Sequence, residues 1–219
     1  MTTIAHNDRL ARRREAILDE ATLLFAAQGY SRAKVDDLAV KLGLGKGTIY
    51  RYFPTKEELF LAVADNAMES LQHTMLSATQ HIEDPFARIA AAVTAYLSFF
   101  DSNLHLIEIF VHERAEFRDR NTPTYLTYRD KNLKNLERLL ASMKHAGIVR
   151  DIDEGTTAAL MGDMLYGTVY THFLRGGGKS LKRLAPRILD IFFEGILTLP
   201  GRAQRNRKGQ SGKRNLIGN

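Results

Sequence analysis

Residues 35–52 read VDDLAVKLGLGKGTIYRY, and the spacing inside this stretch decides the fold. Ala39 is followed four residues later by Gly43, and six residues after that by Ile49. Two short helices meeting across a tight turn need this arrangement. A small residue lets them cross closely, a glycine carries the chain through a left-handed conformation, and a branched apolar residue anchors the second helix. Val35, Leu38, Leu42 and Leu44 supply the other inward positions. Helices this short bury too little surface to stand alone, so they need a third helix and the start of a fourth as a lid.

The third is found upstream. Ile17, Ala21, Leu24 and Phe25 recur at helical spacing opposite Arg13, Asp19 and Glu20, which predicts an amphipathic helix over 9–28 ended by Gly29. Downstream, Pro54 breaks the chain and Lys56 opens a helix running to about residue 80. Asp84-Pro85 forms a cap and first turn for a helix to about 101. Further helices are expected at 104–117, 124–146, 154–175 and 180–199. Pro186 lies inside the last of these and demands a kink or a delayed start. From Gly201 onward no apolar period remains, so this end reads as disordered. The expectation is an all-α chain of about nine helices. It divides into a three-helix N-terminal domain (1–54), a helical body (55–200) and a basic tail (201–219).

Charge follows the same division. Residues 1–52 hold nine basic and six acidic side chains, 53–200 hold sixteen and nineteen, and 201–219 hold six and none. Cationic ends on an anionic body suggest contact with a polyanion at the ends and another task between them. The 219 residues contain no cysteine, which removes disulfides, thiol nucleophiles and zinc–thiolate clusters. The stretch 89–100, broken by Thr94 and Ser98, falls short of the roughly 18 apolar residues of a membrane span. The first residues lack the apolar core of a secretory signal, so a soluble cytoplasmic protein is expected.

With Ile49 facing inward, the outer face of the second short helix offers Lys46, Gly47, Thr48, Tyr50, Arg51 and Tyr52. Arg51 is suited to bidentate contact with guanine, Thr48 to a thymine methyl or a phosphate, and Tyr50 to a phosphate. Gly47 permits close approach, Lys56 stands at a helix start beside which a phosphate can sit, and Arg12, Arg13 and Arg14 supply an N-terminal arm.

Ile17 through Leu59 resembles the DNA-binding domain of the TetR family of transcriptional regulators. The likeness rests on Phe25, Gly29-Tyr30, Val35, Leu38-Ala39, Gly43, Lys46-Gly47-Thr48-Ile49-Tyr50, Tyr52-Phe53 and Lys56-Glu57-Glu58-Leu59. Lys34 and Gly45 depart from it, standing where the family often has hydroxyl caps. The resemblance implies a homodimeric repressor whose helical body binds a small molecule and then releases operator DNA. It also implies pairing of the last two helices, within 154–199, in a four-helix bundle at the dimer interface. Ala158, Gly162, Leu165, Val169 and Phe173 on one, and Leu184, Ile188, Ile191, Phe192 and Ile196 on the other, offer the apolar faces. Two-fold symmetry would then require a palindromic operator.

For the effector, aromatic and methionine residues with polar handles suggest Tyr96, Phe100, Phe110, Tyr128, Met161, Met164, Thr168 and His172, and hence an apolar or aromatic compound. No cofactor, metal or catalytic residue is expected. Gly178-Lys179-Ser180 imitates a phosphate loop but has Phe173 where a glycine is needed; His112-Glu113 begins a zinc-protease motif that Glu116 interrupts. His105, Glu108, His112 and Glu116 share a helical face on which a metal or pH-sensing site is conceivable. Two other readings remain: an all-α carrier or enzyme without DNA function, and a DNA-organising adaptor that recruits a protein.

Overall fold

The computed structural model describes the backbone of residues 2–214 and the side chains of residues 8–207. Ten α-helices follow in order among the described residues: α1 (Thr2–Arg32), α2 (Val35–Lys41), α3 (Lys46–Tyr52), α4 (Lys56–Thr79), α5 (Pro85–Ser102), α6 (Leu106–Glu116), α7 (Thr124–His145), α8 (Glu154–Leu174), α9 (Ala185–Ile196) and α10 (Leu199–Arg214). A 3-10 turn, Leu181–Leu184, precedes α9. The one extended pairing among the described residues is a bridge between Val149 and Leu197. The chain is all-α.

Local chemistry sets most boundaries. Gly29, at φ 75° and ψ 167°, breaks α1 before a last turn to Arg32. Asp84 accepts the Ala87 N–H at 2.9 Å, with Pro85 in the first turn of α5. Asp153 caps α8 through Thr156 N–H at 2.6 Å. Pro186 sits in the first turn of α9, so that helix starts late, after the 3-10 turn, as a proline requires.

The chain from Gly201 departs from expectation: instead of a disordered tail it continues as α10 to Arg214, and residues 215–219 lie outside the described residues. Among its described side chains, polar contacts hold this helix. Arg202 pairs with Glu194 at 2.7 Å, Arg205 pairs with Asp190 at 2.6 Å, and the Arg205 guanidinium lies 4.8 Å over the Phe193 ring. Gly201 passes so close to Ile148 that a Cβ there would stand 2.2 Å from the Ile148 carbonyl oxygen.

Packing forms two compact units. The first comprises the chain through Leu71 with Asn103–Tyr128; the second comprises Gln72–Ser102 with the chain from Arg129 onward. The first packed unit therefore extends past residue 54 into α4 and takes in α6. The reason is aromatic: Phe60 of α4 lies 5.0 Å from Phe25, 5.3 Å from Tyr30 and 5.5 Å from Phe117, and α6 packs along α1. Burying each such ring contributes about 2 kcal/mol.

In the second unit α5 packs on α8 and α9, with Phe86 against Phe193 at 5.5 Å. Asp101 at the end of α5 accepts from Ser180 Oγ, Leu181 N–H and Lys182 N–H, fixing the turn before α9. The stripe expected to face a second subunit is largely this unit's own core: Ala158, Leu165, Val169, Ile188, Phe192 and Ile196 are buried within the single chain. Leu184 and Ile191 stay exposed, together with Leu160 and Leu174 on α8.

Candidate functional site

The turn between α2 and α3 is closed by its own backbone. Leu42 N–H donates to Leu38 at 3.1 Å, and Leu44 N–H to Ala39 at 2.9 Å. Gly43 adopts φ 62°, and a Cβ there would meet nothing within 4 Å, so conformation alone asks for glycine. Thr48 N–H then bonds Gly45 at 2.8 Å and α3 begins. Neither Lys34 nor Gly45 caps its helix with a side chain. Ile49 is wholly buried, and Leu38, Ala39 and Phe53 are buried too.

Opposite Ile49, Lys46, Gly47 and Arg51 are exposed, while Thr48 and Tyr50 are half-buried. Arg51 makes no ion pair or hydrogen bond among the described residues, so its five donors face outward uncommitted. Lys46 donates to Asp36 of α2 at 2.7 Å and lies 6.0 Å over the Tyr50 ring. The hydrogen bond to Asp36 holds its ammonium above the usual lysine range.

Two of the expected contact residues are turned to other work. The Tyr52 hydroxyl is buried without a partner among the described residues, which removes it from the outer face. Lys56 donates to the Ser31 carbonyl at 3.2 Å and lies 4.7 Å over the Tyr30 ring, tying the start of α4 to the end of α1. Burial lowers its pKa, against the countering charge of Glu116. In the basic arm, Arg13 is half-buried, while Arg14 sits 5.3 Å over Phe53 and covers the back of α3.

The motifs set aside in the sequence have structural uses. Glu113 is buried, and its Oε1 accepts from Arg120, Thr124 N–H and Thr124 Oγ1, each at 2.9 Å, which clamps the α6–α7 loop. Glu116 accepts from Ser31 Oγ at 2.7 Å. Among the described residues no group of three or more His, Asp or Glu side chains is placed to hold a metal. Ser180 is committed to Asp101.

A cavity of about 550 Å³ opens in the second unit between α4, α5, α7 and α8. Met161 lines it, alone among the eight residues suggested for the effector. Tyr96 and Phe100 pack edge to face at 5.1 Å and are buried in the core. Phe110 belongs to the first unit, against Tyr125 at 5.8 Å, and so does Tyr128, whose hydroxyl donates to Glu69 at 3.4 Å. Thr168 turns its hydroxyl to the Met164 carbonyl at 2.6 Å, and His172 is half-buried near Asp101. The lining missed from sequence includes Ile89, Leu136 and Leu139, with Arg88 and Arg138 beside them. The signal lay in α7: Leu133, Leu136 and Leu139 repeat every third residue, with Asn132, Asn135 and Arg138 just before each of them.

Comparison with known proteins bears on both regions. Residues 17–63 match the family model of bacterial regulatory proteins of the tetR family, and residues 83–196 match that of the tetracyclin repressor-like C-terminal domain. The chain belongs to the TetR family. It is a DNA-binding transcriptional regulator with a helix-turn-helix at α2–α3. The fatty acid metabolism regulator protein of Bacillus subtilis is 26% identical over 190 residues, covering 82% of this TetR-family chain and 93% of that one. The transcriptional activator FasR of Mycolicibacterium smegmatis is 33% identical over 89 residues, 41% of each chain. A solved structure of the regulator FadR from Bacillus subtilis, in complex with stearoyl-CoA, superposes with a TM-score of 0.66 at 22% identity, covering 83% of this chain and 98% of that one. That last likeness is one of fold. No helix among the described residues is long and apolar enough to cross a membrane.

Proposed function

We propose that the chain is a ligand-responsive repressor that holds a palindromic operator as a homodimer and releases it when a small molecule with an apolar body fills the cavity of the second unit. The observation that carries the DNA half is Arg51, uncommitted on the open face of a helix whose opposite side is pinned by Ile49. Lys46, Gly47, Thr48 and Tyr50 share that face and serve phosphates and base edges; Arg13 and Lys56 flank it. Tyr52 contributes through its position in the helix rather than its hydroxyl.

The ligand half is supported by the cavity, whose volume lies within the range of small-molecule sites, about 300–1,000 Å³. Met161 lies in its wall, and the aromatic pair Tyr96 and Phe100 belongs to the packed body around it. A relative named for fatty acid metabolism and a neighbour holding stearoyl-CoA favour an effector of aliphatic character. The homodimer is supported by Leu160, Leu174 and Ile191, which are 63%, 65% and 69% exposed on α8 and α9. These exposed apolar side chains are available to a second copy of the chain. The protein works in the cytoplasm, at the nucleoid.

Mobility shifts with the DNA flanking its own gene test this reading. Binding is expected to weaken steeply with salt, and Arg51→Ala to erase most of the preference for operator over unrelated DNA. Absence of binding at low salt overturns the reading.

A further inference from the structure

The charges around the cavity say more about its occupant than its size does. Its wall is apolar where Met75, Ile89, Val93, Leu136, Leu139 and Leu165 meet, and no carboxylate lines it. Two arginines do: Arg88 from α5 and Arg138 from α7. Both are exposed, and neither forms an ion pair or hydrogen bond among the described residues. The contrast is Arg129, one helical stretch away on α7, which is spent on Asp163 and the Ala159 carbonyl. An apolar chamber whose charged lining is purely cationic, with both cations at solvent-reachable positions, is a receptacle for a molecule with a long apolar body and an anionic head.

Resting on the reading of this cavity as the effector site, we infer that the effector is an aliphatic anion, whose chain fills the chamber and whose head is held at the mouth by Arg88 and Arg138. The volume of about 550 Å³ accommodates roughly 18 groups of water size, at about 30 Å³ each. A saturated chain of a dozen carbons with its head fits this space. Guanidinium recognises both carboxylate and phosphate through paired N–H donors, so a free fatty acid and a phosphate-bearing acyl thioester present the same chemistry to the pair. The neutral polar lining, Gln72, Asn132, Asn135 and Ser142 among it, adds donors without opposing charge.

Calorimetric titration of the full-length protein with dodecanoic acid, dodecanoyl-coenzyme A and uncharged dodecanol tests the assignment, alongside the variant Arg88→Gln/Arg138→Gln. Both arginines are exposed, so the variant is expected to fold, and a circular-dichroism melt checks this. At least one anionic probe binds the native protein at least about tenfold more tightly than the alcohol, and the double variant loses that advantage while keeping its affinity for the alcohol. Whichever anion binds better identifies carboxylate or phosphate as the head. Arg88→Lys/Arg138→Lys restores part of the affinity, because the charge returns without the fork. Equal binding of acid and alcohol, an unchanged double variant, or no binding by any probe overturns the inference. Operator release is read separately by mobility shift: an anion that binds through both arginines yet leaves DNA binding untouched sinks the repressor reading and spares the head-group assignment.

Discussion

His112 occupies the space that a side chain on Gly29 would need: a Cβ there would stand 2.7 Å from the imidazole Cε1 and 2.9 Å from Nε2. The bare α-carbon lies at the break in α1, where φ is 75° and ψ 167°, a conformation almost restricted to glycine. The close fit of α1 against α6 in the first unit depends on this pair.

Gly29→Ala is therefore expected to destabilise the protein by about 2–4 kcal/mol, from backbone strain and steric clash together. Adding His112→Ala removes the clash but not the strain. In denaturant titrations the double variant should be more stable than Gly29→Ala alone. Equal stability would show that the imidazole is not what the methyl meets.

A second outcome concerns the ion pair that crosses the helix-turn-helix. Lys46 and Asp36 are both substantially exposed, so solvent screens their pairing and it adds little to stability. On the proposed docking, Asp36 competes with phosphate for the lysine and repels the duplex. Asp36→Asn should leave the melting temperature nearly unchanged, strengthen DNA binding several-fold for operator and unrelated sequence alike, and steepen the salt dependence. Weaker binding by this variant would mean that Asp36 orients Lys46 productively.

Acid stability isolates Asp101. Burial raises its pKa, but hydrogen bonds from Ser180, Lys182 and Leu181 together outweigh that and leave the carboxyl below its usual range. A folded-state value depressed below the unfolded value of about 3.9 contributes stability above that pH, and the contribution disappears as pH falls through the folded value. Asp101→Asn should thus be less stable than the native protein at pH 6, with the gap narrowing below about pH 4. A gap independent of pH would show that the charge is irrelevant to the cap.

The oligomer is tested at Ile191. Ile191→Asp places a charge on an exposed position and leaves the folded chain intact. Sedimentation should show a shift from dimer to monomer, and operator affinity should fall at least about tenfold because two half-sites are no longer read together. A dimer of undiminished stability would move the interface elsewhere.

The turn from α2 to α3 was legible because its requirements are local: Gly43 must take positive φ and Ile49 must point inward whatever surrounds them. The cavity was not. Aromatic residues such as Tyr96 and Phe100 are large enough to complete the core, whereas the open space is lined by smaller or unbranched side chains such as Ala92, Met75 and Met161. Lys56 and Tyr52 face outward on a helical wheel, but the Ser31 carbonyl that takes Lys56 and the burial of the Tyr52 hydroxyl are set by tertiary packing that spacing does not report. α10 escaped for a related reason: its partners Asp190 and Glu194 look like ordinary solvated acids until Arg202 and Arg205 are placed beside them.

The anchoring of α10 changes what a shortened protein would mean. Truncation after Pro200 removes more than loose cationic polymer: it orphans Asp190 and Glu194, uncovers Phe193 and vacates the niche that Gly201 occupies beneath Ile148. Such a stump would confound electrostatics with injury to the body. Swapping Lys208 and Lys213 for glutamine lowers the charge while Gly201, Arg202 and Arg205 keep their contacts.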